Sequence, residues 1–171
     1  ELDCLVNNAG IYLRGSVAET SDDDWRETIA TNLNVPFYLS RAALPHLLKA
    51  EGSIVNIASD WGLGGGERAA SYCASKGGLV LLTKAMAKDH ARDGLRVNAV
   101  CPGDVDTPML TADAEAEGVD VDEYLEECSE AVPSGRIAEP EEVAALTLFL
   151  ASEAATHING AAIPIDGGGS A

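Results

Sequence analysis

Residues 53–66 read Ser53-Ile-Val-Asn-Ile-Ala-Ser-Asp-Trp-Gly-Leu-Gly-Gly-Gly66, an apolar run that gives way to polar residues and then to glycine. The run from Ser53 to Ala58 is short and does not alternate with polar residues, the pattern of a strand covered on both faces. Ser59 stands at its carboxyl end, and Gly62 to Gly66 reads as a loop. Three further runs share this form. Leu2 to Val6 ends at Asn7-Asn8-Ala9-Gly10, Arg96 to Cys101 ends at Pro102-Gly103, and Ala161 to Ile165 is closed by Asp166-Gly167-Gly168-Gly169. Helical segments lie between them. Thr20-Ser21 offers an N-cap, and Asp22, Asp23 and Asp24 favour the positive end of a helix through Trp25 and Ile29. A second stretch continues from about Thr31 to Lys49 and is broken at Gly52. An alanine-rich helix runs from Ala69 to Arg92 and stops at Gly94. Pro140, at a first helical turn, opens a helix to about Ala151. Strands alternating with helices predict an α/β fold, a doubly wound parallel sheet with helices on both faces and right-handed crossovers. Ligands bind such sheets beyond the carboxyl ends of the strands, where the polar and glycine-rich segments fall.

Charge is distributed unevenly. The 171 residues carry a formal net charge of −17. Residues 101–171 hold sixteen acids and one base, Arg136, so most of the excess lies there. Such a surface repels phosphate backbones and argues against nucleic-acid binding. An acid-rich chain with only four lysines suits a high-salt, halophile cytoplasm, where screening suppresses self-repulsion; an ordinary acidic bacterial protein is the other reading. No run reaches the ~18–20 apolar residues of a membrane span, and no leader is evident, so a cytoplasmic location is expected. Cys4, Cys73, Cys101 and Cys128 lack metal-ligand spacing and read as free, mostly buried thiols. His46, His90 and His157 stand apart, and no metal is expected. Residues 104–135 form an acidic segment, bracketed by Pro108 and Pro133, with Val121 to Ala131 as a short helix.

The chemistry gathers at the strand ends. Tyr72 and Lys76, four apart on a helix, share one face. Alone the pair is a weak signal, since such spacing is common by chance. Ser59 ends a buried strand thirteen residues earlier, and Asn32 lies mid-helix, where its propensity is low. With Asn7–Gly10 these residues all fall at the carboxyl edge of the sheet.

On these residues, with Pro102-Gly103, Thr107 and Asp166-Gly167-Gly168 in order, the chain resembles a classical short-chain dehydrogenase/reductase along essentially its whole length. The resemblance implies the C-terminal part of a Rossmann-like doubly wound sheet and an oxidoreductase that interconverts a secondary alcohol and a ketone with NAD or NADP. It implies that Ser59 binds the substrate oxygen and Tyr72 is the general acid or base. Lys76 would bind the cofactor ribose and lower the Tyr72 pKa, and Asn32 would hold a water in a proton relay. Lowering a phenol by about 3 units requires roughly 4 kcal/mol in favour of the phenolate, which one ammonium at reduced dielectric, helped by a positive nicotinamide ring, can supply. The resemblance also implies cofactor contacts at Asn7, Ala9, Gly10, Pro102, Gly103, Val105 and Thr107. For Asn7 and for Pro102-Gly103, plain turn chemistry remains an alternative.

The family's glycine-rich phosphate loop is absent from this sequence, and glycines 62–66 do not replace it. Residues 1–171 are therefore expected to be one partial domain, lacking the first strands, with the selector between NAD and NADP lost. The alternatives are an inactive fragment and a non-catalytic dinucleotide-binding protein. The segment 104–135 corresponds to a substrate lid, a solvated face in its simplest reading. The sharper reading has Asp60 and Asp104 presenting carboxylates to a hydroxyl-rich substrate, with Trp61 as a wall. Helices 31–49 and 69–92 are expected to pair across subunits in a homo-oligomer, a tetramer or dimer; packing within one subunit is the alternative.

Overall fold

In the computed structural model, which describes residues 2–171, four strands form one sheet: β1 (Cys4–Asn7), β2 (Ser53–Ile57), β3 (Arg96–Pro102) and β4 (Ala162–Ile165). They pair in that spatial order, all parallel, with Leu5 opposite Ile54, Ile54 opposite Val97, and Val100 opposite Ile163. The helices are α1 (Asp22–Ile29), α2 (Val35–Ala50), α3 (Trp61–Gly64), α4 (Ala70–His90), α5 (Pro108–Glu117), α6 (Val121–Ala131) and α7 (Pro140–Ala151). None of them is long and apolar enough to cross a membrane.

The burial pattern explains why these strands lack polar alternation. On one face Ile54 and Val97 pack with Leu47 of α2 and Ala87 of α4. On the other, Val55 and Val100 pack with Leu150 of α7. Both faces of β2 and β3 therefore carry apolar side chains, as a helix-covered parallel sheet requires. A buried polar chain crosses the sheet: Asn7 Nδ2 donates to Asn56 Oδ1 at 2.7 Å, and Asn56 Nδ2 donates to Thr83 Oγ1 at 2.8 Å.

Several expectations shift. The first strand runs from Cys4 to Asn7 instead of Leu2 to Val6. Gly62 to Gly66 is not wholly loop, because Trp61–Gly64 makes one helical turn, capped by Asp60 accepting from Trp61 N. Gly62 permits that turn to lie against α4, since a Cβ there would stand 2.8 Å from the Lys76 carbonyl carbon. Pro108–Glu117 of the acidic segment is helical, with Pro108 at its first turn. Ala30–Asn34 is a π-helical stretch joining α1 to α2, so Asn32 sits in a bulge. All four cysteines are free, but only Cys101 is buried.

Candidate active site

The carboxyl ends of β1, β2 and β3 open into one cavity of about 790 Å³. Ser59, two residues past β2, is buried, and its Oγ–H donates to Asp60 Oδ1 at 3.0 Å. Trp61 N donates back to Ser59 Oγ at 3.2 Å, so the α3 turn fixes the hydroxyl. Tyr72 and Lys76 enter from α4. Helical spacing places the ammonium 5.6 Å from the centre of the phenol ring. Lys76 is buried, and its Nζ donates to Ile57 O at 2.8 Å, which uses one of its three N–H groups.

Burial dominates the ionisation of both groups. It pushes the Tyr72 phenol up to about 12; the neighbouring Ser59 hydroxyl pulls it down, while Asp60 and Asp104 push it further up. Burial lowers Lys76 to about 8. The carboxylates at the rim are also raised, Asp60 by burial and by Asp166, Asp104 by burial and by Asp60 and Asp113.

Of the residues singled out in the sequence, the cavity brings together Ala9, Gly10, Ser59, Asp60, Trp61 and Tyr72. It also collects Lys76, Pro102, Gly103, Asp104, Val105 and Thr107. Asn7 and Asn32 are not among its lining residues. The Asn7 carboxamide is buried against Asn56 and Ser40. The Asn32 carboxamide stands behind Gly10 and bonds to the backbone of Ile11 and to Ser75. Thr107 Oγ1 donates to Val105 O at 3.2 Å, and Asp166 accepts from Gly168 N and Ser170 N, a turn-forming role.

Tyr12, Arg14 and Asp113 also line the cavity, although nothing in the sequence singled them out. The Tyr12 ring meets Tyr72 edge-on at 5.2 Å and Trp61 at 5.8 Å. Tyr12 and Arg14 sit in an irregular segment where no periodicity marks a facing side, so only tertiary contact reveals them.

The residues present fit the ribose of a dinucleotide. At Gly10 a Cβ would stand 3.3 Å from Lys76 Nζ and 3.4 Å from Asn32 Oδ1, so the bare backbone leaves the lysine accessible from that side. The remaining N–H groups of Lys76 suit the vicinal hydroxyls of a ribose.

Comparison with known proteins identifies the family. A family model described as Enoyl-(Acyl carrier protein) reductase matches residues 1–170. The meso-2,3-butanediol dehydrogenase of Serratia marcescens is 51% identical over 170 residues, covering 99% of this chain and 65% of the relative. The chain thus spans just under two thirds of that relative's length. A ligand-free aldohexose dehydrogenase of Thermoplasma acidophilum superposes with a TM-score of 0.94 at 39% identity, over 98% of this chain and 68% of that one. An actinorhodin polyketide ketoreductase solved with NADPH gives 0.93 at 39% identity, over 98% and 67% respectively. Fold, matched family and relatives together place the chain in the short-chain dehydrogenase/reductase family.

Proposed function

We propose that the protein carrying this chain is an NAD(P)-dependent oxidoreductase that interconverts a secondary alcohol and a ketone. The observation that carries the reading is the meeting of Ser59, Tyr72 and Lys76 in one cavity at the carboxyl edge of the sheet. Ala9, Gly10, Lys76, Pro102, Gly103, Val105 and Thr107 would hold the dinucleotide, which when bound supplies the hydride acceptor.

Tyr72 handles the proton. In oxidation its phenolate takes the hydroxyl proton of the alcohol as a hydride leaves the carbinol carbon and the C–O bond becomes a carbonyl. In reduction its O–H protonates the oxygen of the ketone as a hydride arrives at the carbonyl carbon. Ser59 donates to the substrate oxygen, where negative charge develops, and the substrate competes with Asp60 for that proton. Lys76 is positive below about pH 8 and favours the phenolate from one helical turn away. Asn32 holds the Ile11 backbone behind Gly10 and so shapes the floor beside Lys76.

The substrate reading is a neutral, hydroxylated molecule. Asp60 and Asp104 would accept hydrogen bonds from its hydroxyls, with Trp61 as an apolar wall. Exposed Phe37, Tyr38 and Leu39 on α2 and Leu81 on α4 support pairing of these helices between subunits. The test offers the full-length protein a panel of secondary alcohols, 2,3-butanediol among them, with NAD⁺ and with NADP⁺. Formation of reduced nicotinamide, lost in Ser59→Ala, is expected. Dinucleotide binding without turnover of any alcohol would favour a non-catalytic binding protein instead.

A further inference from the structure

Among the described residues, the cavity is lined by two cations, Lys76 and Arg14. Lys76 lies at the Tyr72 end and is anchored to Ile57 O. Arg14 lies toward α5 and α6, where a group remote from the reacting carbon would rest, and it is already engaged. Its Nη1 donates to Asp113 Oδ2 at 3.1 Å, and its Nε stands 3.7 Å from Glu117 Oε1. The Asp113 side chain is only 8% exposed, and its Oδ2 also accepts from the Tyr124 hydroxyl at 2.6 Å. Asp113 is thereby fixed from two elements, and the guanidinium is neutralised at close range.

Only Nη1 of Arg14 is hydrogen-bonded, so a substrate carboxylate could approach its other nitrogens, but it would meet there the charges of Asp113 and Glu117, which already neutralise the guanidinium. It would also meet the field of Asp60 and Asp104, which line the same cavity. A neutral hydroxyketone or diol faces neither barrier. We infer that Asp113 is a specificity-determining residue: by occupying Arg14 it sets the cavity against substrates that carry an anionic group and reserves it for neutral ones. The inference rests on the oxidoreductase reading for the place of the reacting carbon, but the neutralised cation can be tested by binding alone.

Asp113→Asn is nearly isosteric, and its amide oxygen can still accept from Tyr124. The same oxygen can also keep its bond to Arg14 Nη1, so the substitution removes the negative charge that neutralises the guanidinium and leaves the cation to attract an anionic ligand. Trp61 lines the cavity and reports occupancy by fluorescence; Trp25, half-exposed on α1, and any tryptophan of the full-length protein outside residues 1–171 are replaced by Phe in every protein compared. The full-length protein is titrated with acetoin, a neutral ketone, and with acetoacetate, its anionic counterpart of similar size. Wild type is expected to bind acetoin the more tightly. Asp113→Asn is expected to tighten acetoacetate at least about tenfold while acetoin changes less than about threefold. Adding Arg14→Gln to Asp113→Asn should abolish that gain. An unchanged acetoacetate-to-acetoin ratio in Asp113→Asn would overturn the inference. So would a gain that survives loss of Arg14, equal weakening of both ligands, or no saturable acetoacetate binding in the variant. Discrimination by binding in a protein that turns over no alcohol would sink the oxidoreductase reading and leave this one standing.

Discussion

The Asn32 carboxamide grips the backbone of Ile11 at both ends: Ile11 N donates to Oδ1 at 2.8 Å, and Nδ2 donates to Ile11 O at 2.8 Å. Nδ2 also reaches Ser75 Oγ on α4 at 3.1 Å. One side chain thus ties the segment after β1 to the π-helical stretch and to the helix that carries Tyr72 and Lys76. Only an amide can donate and accept in this arrangement. Asn32→Asp places a carboxylate oxygen against Ile11 O, and Asn32→Ala leaves buried backbone groups unpaired. Each is expected to cost about 2–4 kcal/mol in urea unfolding, since each unsatisfied buried group costs about 1–3 kcal/mol. A loss below about 1 kcal/mol would mean that water replaces the clamp.

Lys76 sets stability against function. Its ammonium is buried, and burial lowers its pKa from 10.5 to about 8. Below pH 8 the folded state therefore bears a penalty of order 3 kcal/mol that the unfolded chain does not. Between pH 8 and 10.5 the unfolded state binds more protons than the folded one, so stability rises with pH through that window. Lys76→Met removes both the charge and the bond to Ile57 O, the latter worth about 1 kcal/mol. It is expected to raise the melting temperature by a few degrees at neutral pH, to flatten this alkaline rise, and to abolish turnover. Thermal scans at three pH values check it; a lower melting temperature at pH 7 would show that the ammonium stabilises the fold.

The two directions of reaction should respond differently to pH. Tyr72 is held up at about 12, so the neutral phenol prevails at ordinary pH. Ketone reduction, which consumes the phenol proton, is expected to hold level through the neutral range and to fall only toward strongly alkaline pH. Alcohol oxidation, which needs the phenolate, is expected to climb through the neutral range and to flatten above about pH 8, as Lys76 loses its charge. Profiles of kcat/KM in both directions with saturating dinucleotide measure this. Parallel slopes would place the proton on another group.

Gly10 should act on the dinucleotide without harming the fold. A Cβ there stands 3.3 Å from Lys76 Nζ, close enough to require a shift of a few tenths of an ångström. Gly10→Ala is expected to weaken dinucleotide binding about tenfold, equivalent to about 1.4 kcal/mol, with the melting temperature little changed. Calorimetric titration and a thermal scan separate the two effects.

Sequence pattern discloses the sheet well, because continuous apolar runs such as Ser53–Ile57 and Arg96–Pro102 answer to burial on both faces, and burial is a local compositional demand. The pairing of Tyr72 with Lys76 is legible for the same reason, since helical spacing fixes it. The π-helical stretch around Asn32 is not, because side-chain contacts with Ile11 and Ser75 accompany it and no local preference announces it. In α5 the signal of Pro108 was present but masked by the acidic composition around it. Arg14 and Asp113, ninety-nine positions apart, meet only after folding. The π-bulge, which is often a functional feature, could have been suspected from a polar residue of poor helix propensity among apolar neighbours.

The central claim is that the Tyr72 phenol carries the proton. Its most direct test is turnover of a secondary alcohol by the full-length protein and by Tyr72→Phe, followed through the absorbance of reduced nicotinamide, with dinucleotide affinity measured alongside. The account predicts a loss of about 10²–10⁴-fold in kcat with dinucleotide affinity nearly unchanged. Turnover by Tyr72→Phe within about threefold of wild type would contradict it.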